Sequence, residues 1–129
     1  MANFSDDKVL AIWNKAAIVS EDKDNGKEWR KDPCGAWINF KHYGKQDDYG
    51  WEIDHALPEV KGGTDHTENL HAMHWMNNRS KADDFPFYKT AISSEGSKNI
   101  ENENQSTLHE SVLSKLKELY PNNQYVKNL

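Results

Sequence analysis

The stretch from residue 49 to residue 84 constrains the fold of this 129-residue chain more than any other part of it. Trp51 to His55 reads as a strand whose side chains alternate between two faces, and Pro58 ends it. Two glycines, at 62 and 63, let the next loop turn back without a side-chain penalty. The stretch predicts a strand, a loop, a return strand and a helix, over residues 51–55, 56–69, 70–74 and 76–82.

Four polar side chains in this stretch carry the chemical information. Asp54 and His55 are adjacent, so a carboxylate that suits a hard cation lies next to an imidazole that can take a proton near neutral pH. Asn69 and Asn78 follow at intervals along the same stretch. An Asp-His pair alone is weak evidence for a site, whereas the complete ordered set after Trp-Glu-Ile is strong evidence for one.

The order D-H, G-G-x-D, N-L and N-x-x-K closely resembles the motif of the small single-domain HNH endonucleases of bacteria and phages. The match covers Trp51 to Asp83, with a weaker match upstream at residues 29–36 and 43–44. The resemblance implies an α+β fold with a ββα-metal core, also called a His-Me finger, at about residues 49–84. We expect this core to belong to a nuclease domain over residues 1–92 that also contains an N-terminal helix and a preceding β-hairpin, with a C-terminal helix after a linker.

The resemblance implies a metal-dependent endonuclease that hydrolyses DNA phosphodiester bonds. His55 is then the general base that activates water, and Asp54 and Asn78 hold one divalent cation that stabilises the phosphate and the leaving oxygen. Asn69 is the middle asparagine, and its amide is expected to tie the loop to the strand and to aim His55. Alternation along a strand would point Asp54 and His55 to opposite faces, so we expect a bend near residues 56–58.

Two choices within the motif rest on spacing. Asn77 competes with Asn78 as the metal ligand, and the N-x-x-K register favours Asn78. Some relatives, such as the colicin nuclease domains, place a further histidine where this chain has Ala82. Without that nitrogen the expected ligands are oxygens, which favour Mg²⁺, with Mn²⁺ possible and Zn²⁺ or Ni²⁺ less favoured.

Three further histidines, His66, His71 and His74, suggest a zinc site by their number, but their spacing of five and then three residues does not suit one face of a strand or helix. We expect His71 and His74 to line or flank the cleft and His66 to be exposed to solvent. The single cysteine, Cys34, excludes an internal disulfide and a multi-cysteine zinc site.

A net charge of −5 conflicts with tight non-specific binding to nucleic acid. We expect weak, salt-sensitive binding to double-stranded DNA through a local basic face. Lys81, Arg79 and Arg30 are the candidate phosphate contacts. The competing interpretations make Lys81 a solvated helix residue and place Arg30 in a salt bridge to Asp32 or a neighbouring acid.

The acidic charge also motivates an alternative function, a non-cutting DNA- or protein-binding module built on the same fold. A protein partner or a homodimer is compatible with either function. The sequence has neither a typical signal peptide nor an apolar run of about 20 residues, so a cytoplasmic location away from membranes is expected.

Outside the motif, the pattern predicts a helix over residues 6–18 with Ser5 as its N-cap, and a hairpin from strands at 29–31 and 36–40. Residues 93–106 are poor in apolar side chains and predict a flexible linker. Thr107 and Glu110 form a capping-box pattern, which predicts a C-terminal helix within 107–129 that packs on the core.

Overall fold

A computed structural model describes residues 3–19 and 24–129, and within them the protein is a small α+β fold. The helices are α1 (Asp6–Trp13), α2 (Trp75–Lys81) and α3 (Glu110–Leu119). The strands are β1 (Trp29–Lys31), β2 (Trp37–Asn39), β3 (Trp51–His55), β4 (Leu70–His74), β5 (Phe87–Glu95) and β6 (Lys98–Thr107). They form three antiparallel hairpins, β1–β2, β3–β4 and β5–β6.

The β3–β4 hairpin and α2 lie at the centre of the molecule. Trp51 pairs with His74 and His55 with Leu70, so the two strands align over their whole length. Helix α2 begins directly after β4, where the His74 side chain accepts a hydrogen bond from the backbone N–H of Met76. The predicted order of strand, loop, strand and helix is confirmed, with the helix beginning one residue earlier than expected.

Alternation along β3 and β4 divides the core into two clusters, one on each face of the hairpin. Trp51 and Ile53 pack with α1 on one face, whereas Met73 packs with the C-terminal segment on the other. The first cluster comprises Val9, Ile12, Trp13, Ile38, Trp51, Ile53, Leu70 and Ala72. The second comprises Ala56, Leu57, Met73, Tyr88, Leu108, Leu116 and Val126.

The N-terminal helix has the predicted cap but ends earlier than predicted. Ser5 accepts a hydrogen bond from the backbone N–H of Lys8. The helix stops at Trp13 because the next residues turn toward β1, where the backbone N–H of Lys31 donates to the carbonyl of Ala17. The predicted upstream hairpin is confirmed as β1–β2.

Residues 93–106 form most of a β-hairpin and are not a flexible linker. Low apolar content favoured a linker, but the polar side chains of this segment order it by forming hydrogen bonds with backbone groups elsewhere in the fold. Ser93 and Ser94 donate to the carbonyls of Cys34 and Gly35, and the Asn99 amide bonds both the N–H and the carbonyl of Trp37. The predicted domain boundary after residue 92 therefore falls inside β5.

The C-terminal helix packs on the core, as predicted, through the fully buried Leu116. The predicted capping box is wrong, because the N-cap residue is His109 and its side chain makes no cap hydrogen bond. The Thr107 hydroxyl instead donates to the carbonyl of Pro86. Among the described residues, no helix has the length and apolar character needed to cross a membrane.

Candidate functional site

A cavity of about 310 Å³ opens where β3 ends and α2 passes beside it. Asp54, His55 and Asn78 all line this cavity, although the register places Asp54 on the α3 side of the hairpin and His55 on the α1 side. The chain bends at Ala56 and Leu57 directly after the strand. The expected bend is therefore present, and it allows neighbouring strand residues to reach one pocket.

Asn69 holds that bend in place. Its side-chain oxygen accepts from the backbone N–H of Leu57 at 2.8 Å, and its Nδ2 donates to the carbonyls of Leu57 at 3.1 Å and Thr64 at 3.0 Å. The side chain is fully buried. Asn69 thus ties the loop to the strand end, as predicted, and fixes the backbone two residues after His55.

The loop between the strands is shaped by its two glycines. Gly62 has a φ of 102°, a left-handed conformation that glycine adopts without strain. Gly63 donates to the carbonyl of Pro58, and a Cβ at position 63 would collide with the carbonyl oxygen of Leu57. This close return of the chain brings Asp65 back beside His55.

The Asp54 carboxylate is buried, and among the described residues Lys81 is its ion-pair partner. Lys81 Nζ lies 3.4 Å from Asp54 Oδ1. Within the described residues we find no backbone N–H that donates to this carboxylate. Burial raises the pKa of Asp54 to about 6, against the opposing attraction of the Lys81 ammonium and of His55. The carboxylate thus retains lone pairs for a further partner.

The burial of Lys81 corrects both interpretations of that residue. Its side chain is fully buried, and Nζ donates to the carbonyl of His55 at 3.1 Å while facing Asp54. A buried ammonium is neither solvated nor free to contact a DNA phosphate. Lys81 instead neutralises the pocket carboxylate and holds the strand end.

Asn78 is oriented by a buried glutamate that sequence analysis did not select. Asn78 Nδ2 donates to Glu52 Oε1 at 3.0 Å, which leaves the amide oxygen as the atom available to a cation. Glu52 Oε2 also accepts from Arg79 at 3.2 Å. Alternation along β3 carried a signal for Glu52, because it places Glu52 and Asp54 on one face.

His55 faces two carboxylates that were likewise missed as site residues. Its Nε2 lies 2.7 Å from Asp65 Oδ1 and 3.9 Å from Glu59 Oε1. The ligand atoms of these three side chains lie within 4.8 Å of one another, a separation that could hold a metal ion. The sequence signals were Asp65 in the G-G-x-D element and Glu59 four residues after His55.

Asn77 is structural, which resolves its competition with Asn78. Its Nδ2 donates to Asp32 Oδ2 and to the carbonyl of Ile92, and its oxygen accepts from the backbone N–H groups of Ala91 and Ile92. All of its hydrogen-bonding capacity joins α2 to β5 and to the turn after β1, so none is left for a cation.

Arg30 lies away from the candidate pocket, which corrects its assignment as a phosphate contact. The side chain is buried, and its guanidinium donates to the carbonyls of Gly26, Asn14 and Ala16. The competing interpretation, a salt bridge to Asp32 or a neighbouring acid, is wrong for Asp32, which accepts from other groups. Burial lowers the pKa of Arg30, and the attraction of the neighbouring acid Asp24 opposes this. Arg79 is the remaining predicted phosphate contact, with half of its side chain exposed.

The three further histidines have separate environments. His66 is exposed, as expected. His74 is fully buried and bonds the carbonyl of Asp48, so it supports α2 and does not line the pocket. Within residues 3–19 and 24–129, His71 Nε2 is buried with no hydrogen-bond partner, and burial lowers the pKa of His71 to about 4. His71 lines a second cavity, of about 470 Å³, on the α3 side of the hairpin.

Comparison with known proteins gives no further identification. No protein-family model matches the chain, and neither the curated proteins nor the solved structures contain a match. The interpretation of the pocket therefore rests on its own geometry and chemistry.

Proposed function

We propose that this protein is a metal-dependent endonuclease of the HNH type that hydrolyses phosphodiester bonds in DNA. The observation that carries the proposal is the meeting of Asp54, His55 and Asn78 at one cavity. In this proposal β3, β4 and α2 are the ββα-metal core. A carboxylate, an imidazole and an oriented amide are the groups that this reaction needs, and the structure supplies a physical reason for the position of each.

The donor set fits a hard divalent cation. Asp54 offers a carboxylate that lacks backbone donors among the described residues, and Asn78 offers the amide oxygen left by its bond to Glu52. Oxygen ligands suit Mg²⁺ best, and Mn²⁺ also. A cation held there would neutralise charge on the phosphate and on the leaving oxygen. The Lys81 ammonium offsets part of the free-energy cost of burying the Asp54 carboxylate.

His55 takes the proton from the attacking water. Its Nε2 lies at hydrogen-bond distance from Asp65, and a carboxylate acceptor favours the tautomer with the proton on Nε2. Nδ1 then keeps its lone pair and acts as the base. Asp65 is a positioning residue in this scheme, and Asn69 fixes the backbone of the bend on which the imidazole depends.

Arg79 binds a DNA phosphate. Its guanidinium lies 5.3 Å from the centre of the Trp75 ring and donates to Glu52, which holds it beside Asn78 while half of the side chain stays exposed. Arg30 and Lys81 are buried, so Arg79 is the exposed residue among the three predicted phosphate contacts. Double-stranded DNA is the expected substrate, with affinity dependent on the bound cation.

The net charge of −5 also supports a second candidate, a non-cutting DNA- or protein-binding module. A plasmid-nicking assay with Mg²⁺ or Mn²⁺ separates the two functions. We expect cleavage with either cation, loss of cleavage in excess EDTA, and loss of cleavage in Asp54→Asn. The exposed His66→Gln variant is the matched control and is expected to cut normally. No cleavage by folded wild-type protein with either cation would overturn the nuclease proposal.

A further inference from the structure

His55, Glu59 and Asp65 form a mixed nitrogen and oxygen cluster at the rim of the cavity, distinct from the pair Asp54 and Asn78. We propose that this cluster is a second cation site, selective for a borderline transition metal such as Zn²⁺, and that its occupation switches off the general base. The proposal of a site rests on the geometry of the cluster. Its inhibitory consequence rests on the proposed nuclease function.

The ligand set distinguishes this site from the first one. Imidazole nitrogen and carboxylate oxygen are both zinc ligands, and three protein ligands would leave a fourth position open to water. Asp54 and Asn78 offer only oxygen, which favours Mg²⁺. The two sites therefore differ in the metal that they select, although both border the same cavity.

Small side-chain movements bring the cluster to metal-binding distances. Ligand atoms about 2.1 Å from a tetrahedral zinc ion lie roughly 3.4 Å from one another. In the structure Asp65 Oδ1 is 2.7 Å and Glu59 Oε1 is 3.9 Å from His55 Nε2, so one contact must widen and the other must shorten. The side chains of Glu59 and Asp65 are 68% and 60% exposed, which leaves them free to adjust and gives an ion direct access.

The surrounding structure brings the three ligands together. His55 ends β3, and Glu59 begins the 3-10 turn Glu59–Lys61, four residues further on. The segment before Asp65 is held from the C-terminal side, because the Tyr120 hydroxyl binds Thr64 through both its backbone N–H and its Oγ1. Helix α3 thus helps to hold the loop that brings Asp65 to the cluster.

Binding at Nε2 removes the catalytic lone pair of His55. A metal ligand must be a neutral imidazole with a free lone pair at the bonding nitrogen. The proton that Nε2 shares with Asp65 must leave, and the neutral ring then carries its one proton on Nδ1. Neither nitrogen can accept a proton from water in that state. Zn²⁺ would therefore inhibit cleavage without displacing the cation at Asp54 and Asn78.

Titration calorimetry with Zn²⁺ on the full chain tests the site without reference to activity. We expect Glu59→Gln to weaken Zn²⁺ binding by about tenfold or more, since loss of an outer partner already costs 10–100-fold. Glu68→Gln removes an exposed carboxylate from the same loop and is the matched control, with unchanged affinity. Asp65→Asn is a second variant. Circular dichroism confirms that each variant is folded. Absence of Zn²⁺ binding to wild type, or equal affinity in Glu59→Gln, would overturn the site.

Plasmid cleavage in Mg²⁺ with added Zn²⁺ tests the consequence. We expect Zn²⁺ to suppress cleavage by wild type and by Glu68→Gln, while Glu59→Gln requires about tenfold more Zn²⁺ for the same inhibition. Equal inhibition of all three would overturn the proposed switch. If no protein cuts DNA but Zn²⁺ binding still depends on Glu59, the cation site stands and the nuclease function fails.

Discussion

Two buried aspartates, Asp32 and Asp54, serve opposite purposes in this molecule. Asp32 accepts hydrogen bonds from the backbone N–H groups of Cys34, Ala36 and His74 and from Asn77 Nδ2, at distances of 2.9–3.0 Å. Asp54 faces a single ammonium at 3.4 Å and an open cavity. Burial raises the pKa of both carboxyls, so burial and pKa alone do not separate them.

The two regions differ in how many of their polar atoms have hydrogen-bond partners within the protein. Around Asp32, the carboxylate and the Asn77 amide are fully occupied by partners in β5 and in the turn after β1, and these bonds stabilise the fold. Around Asp54, the carboxylate faces Lys81 and lines the cavity together with His55 and Asn78. A buried carboxylate with spare capacity is costly for stability, and a cation or substrate gives a physical reason for that arrangement.

The largest expected effect is on the rate of cleavage. His55→Ala removes the proposed base, so the cleavage rate should fall about 10²–10⁴-fold while the melting temperature and the affinity for Mn²⁺ stay close to wild type. Single-turnover cleavage, thermal melting and Mn²⁺ titration measure the three quantities. A variant that cuts at the wild-type rate would place the base elsewhere.

Exchanging each aspartate for asparagine sharpens the comparison itself. Asp32→Asn replaces one carboxylate oxygen, which now accepts hydrogen bonds, with an amide NH2 group that can only donate. We therefore expect the free energy of unfolding to fall by about 3 kcal/mol or more. Asp54→Asn should lower that free energy by a similar amount, because it leaves the buried Lys81 ammonium without its charged partner, but of the two variants it alone should weaken Mn²⁺ binding about tenfold or more. Urea unfolding and Mn²⁺ titration of both variants check this. Equal metal affinity in Asp54→Asn and wild type would refute the ligand assignment.

The pH dependence of metal binding follows from the pKa of Asp54, raised by burial to about 6. A cation binds the ionised carboxylate, so protons compete with it as the pH falls below about 6. The Kd for Mn²⁺ should rise about tenfold per pH unit below that value and level off above it, whereas an ordinary exposed aspartate would lose its cation only near pH 3.9. Titrations from pH 5 to 8 measure this. A flat Kd down to pH 5 would contradict the role of Asp54.

The smallest expected effect concerns DNA affinity and separates Arg79 from Lys81. Arg79→Ala should reduce the slope of log affinity against log salt by about 0.9, the contribution of one phosphate contact. Lys81→Met should leave the slope unchanged but lower the free energy of unfolding by about 3 kcal/mol, since it leaves Asp54 without its charged partner. Fluorescence anisotropy of a labelled duplex in Ca²⁺ measures the slopes. A reduced slope in a folded Lys81→Met protein would restore Lys81 as a phosphate contact.

Sequence patterns predicted the local elements well and the roles of charged side chains poorly. Alternation and glycine placement identified β3, β4 and the loop between them, and the asparagine that clamps that loop. Arg30 and Lys81 were predicted as phosphate contacts, which requires an exposed side chain. Both are buried, since backbone carbonyls and Asp54 supply their partners.

The polar hairpin β5–β6 shows why composition can mislead. Its segment contains too few apolar residues to form a core of its own, which favoured a linker. It is ordered because Asn77, on α2, and the turn after β1 offer hydrogen-bonding groups to its backbone and its serines. Those partners lie far away in the sequence, so no local pattern could indicate them.

The sequence by itself determined which residues could do chemistry: a carboxylate and an imidazole in adjacent positions, two asparagines at set intervals, and glycines where the backbone must turn. Hydrophobic periodicity and turn preferences depend on residues that are close in the sequence, so the sequence alone can indicate them. Only the tertiary structure decided which polar groups keep free lone pairs. Asp32 and Asn77 lose theirs to distant partners, while Asp54, His55 and Asn78 keep theirs, because a group's unused bonding capacity depends on everything packed around it.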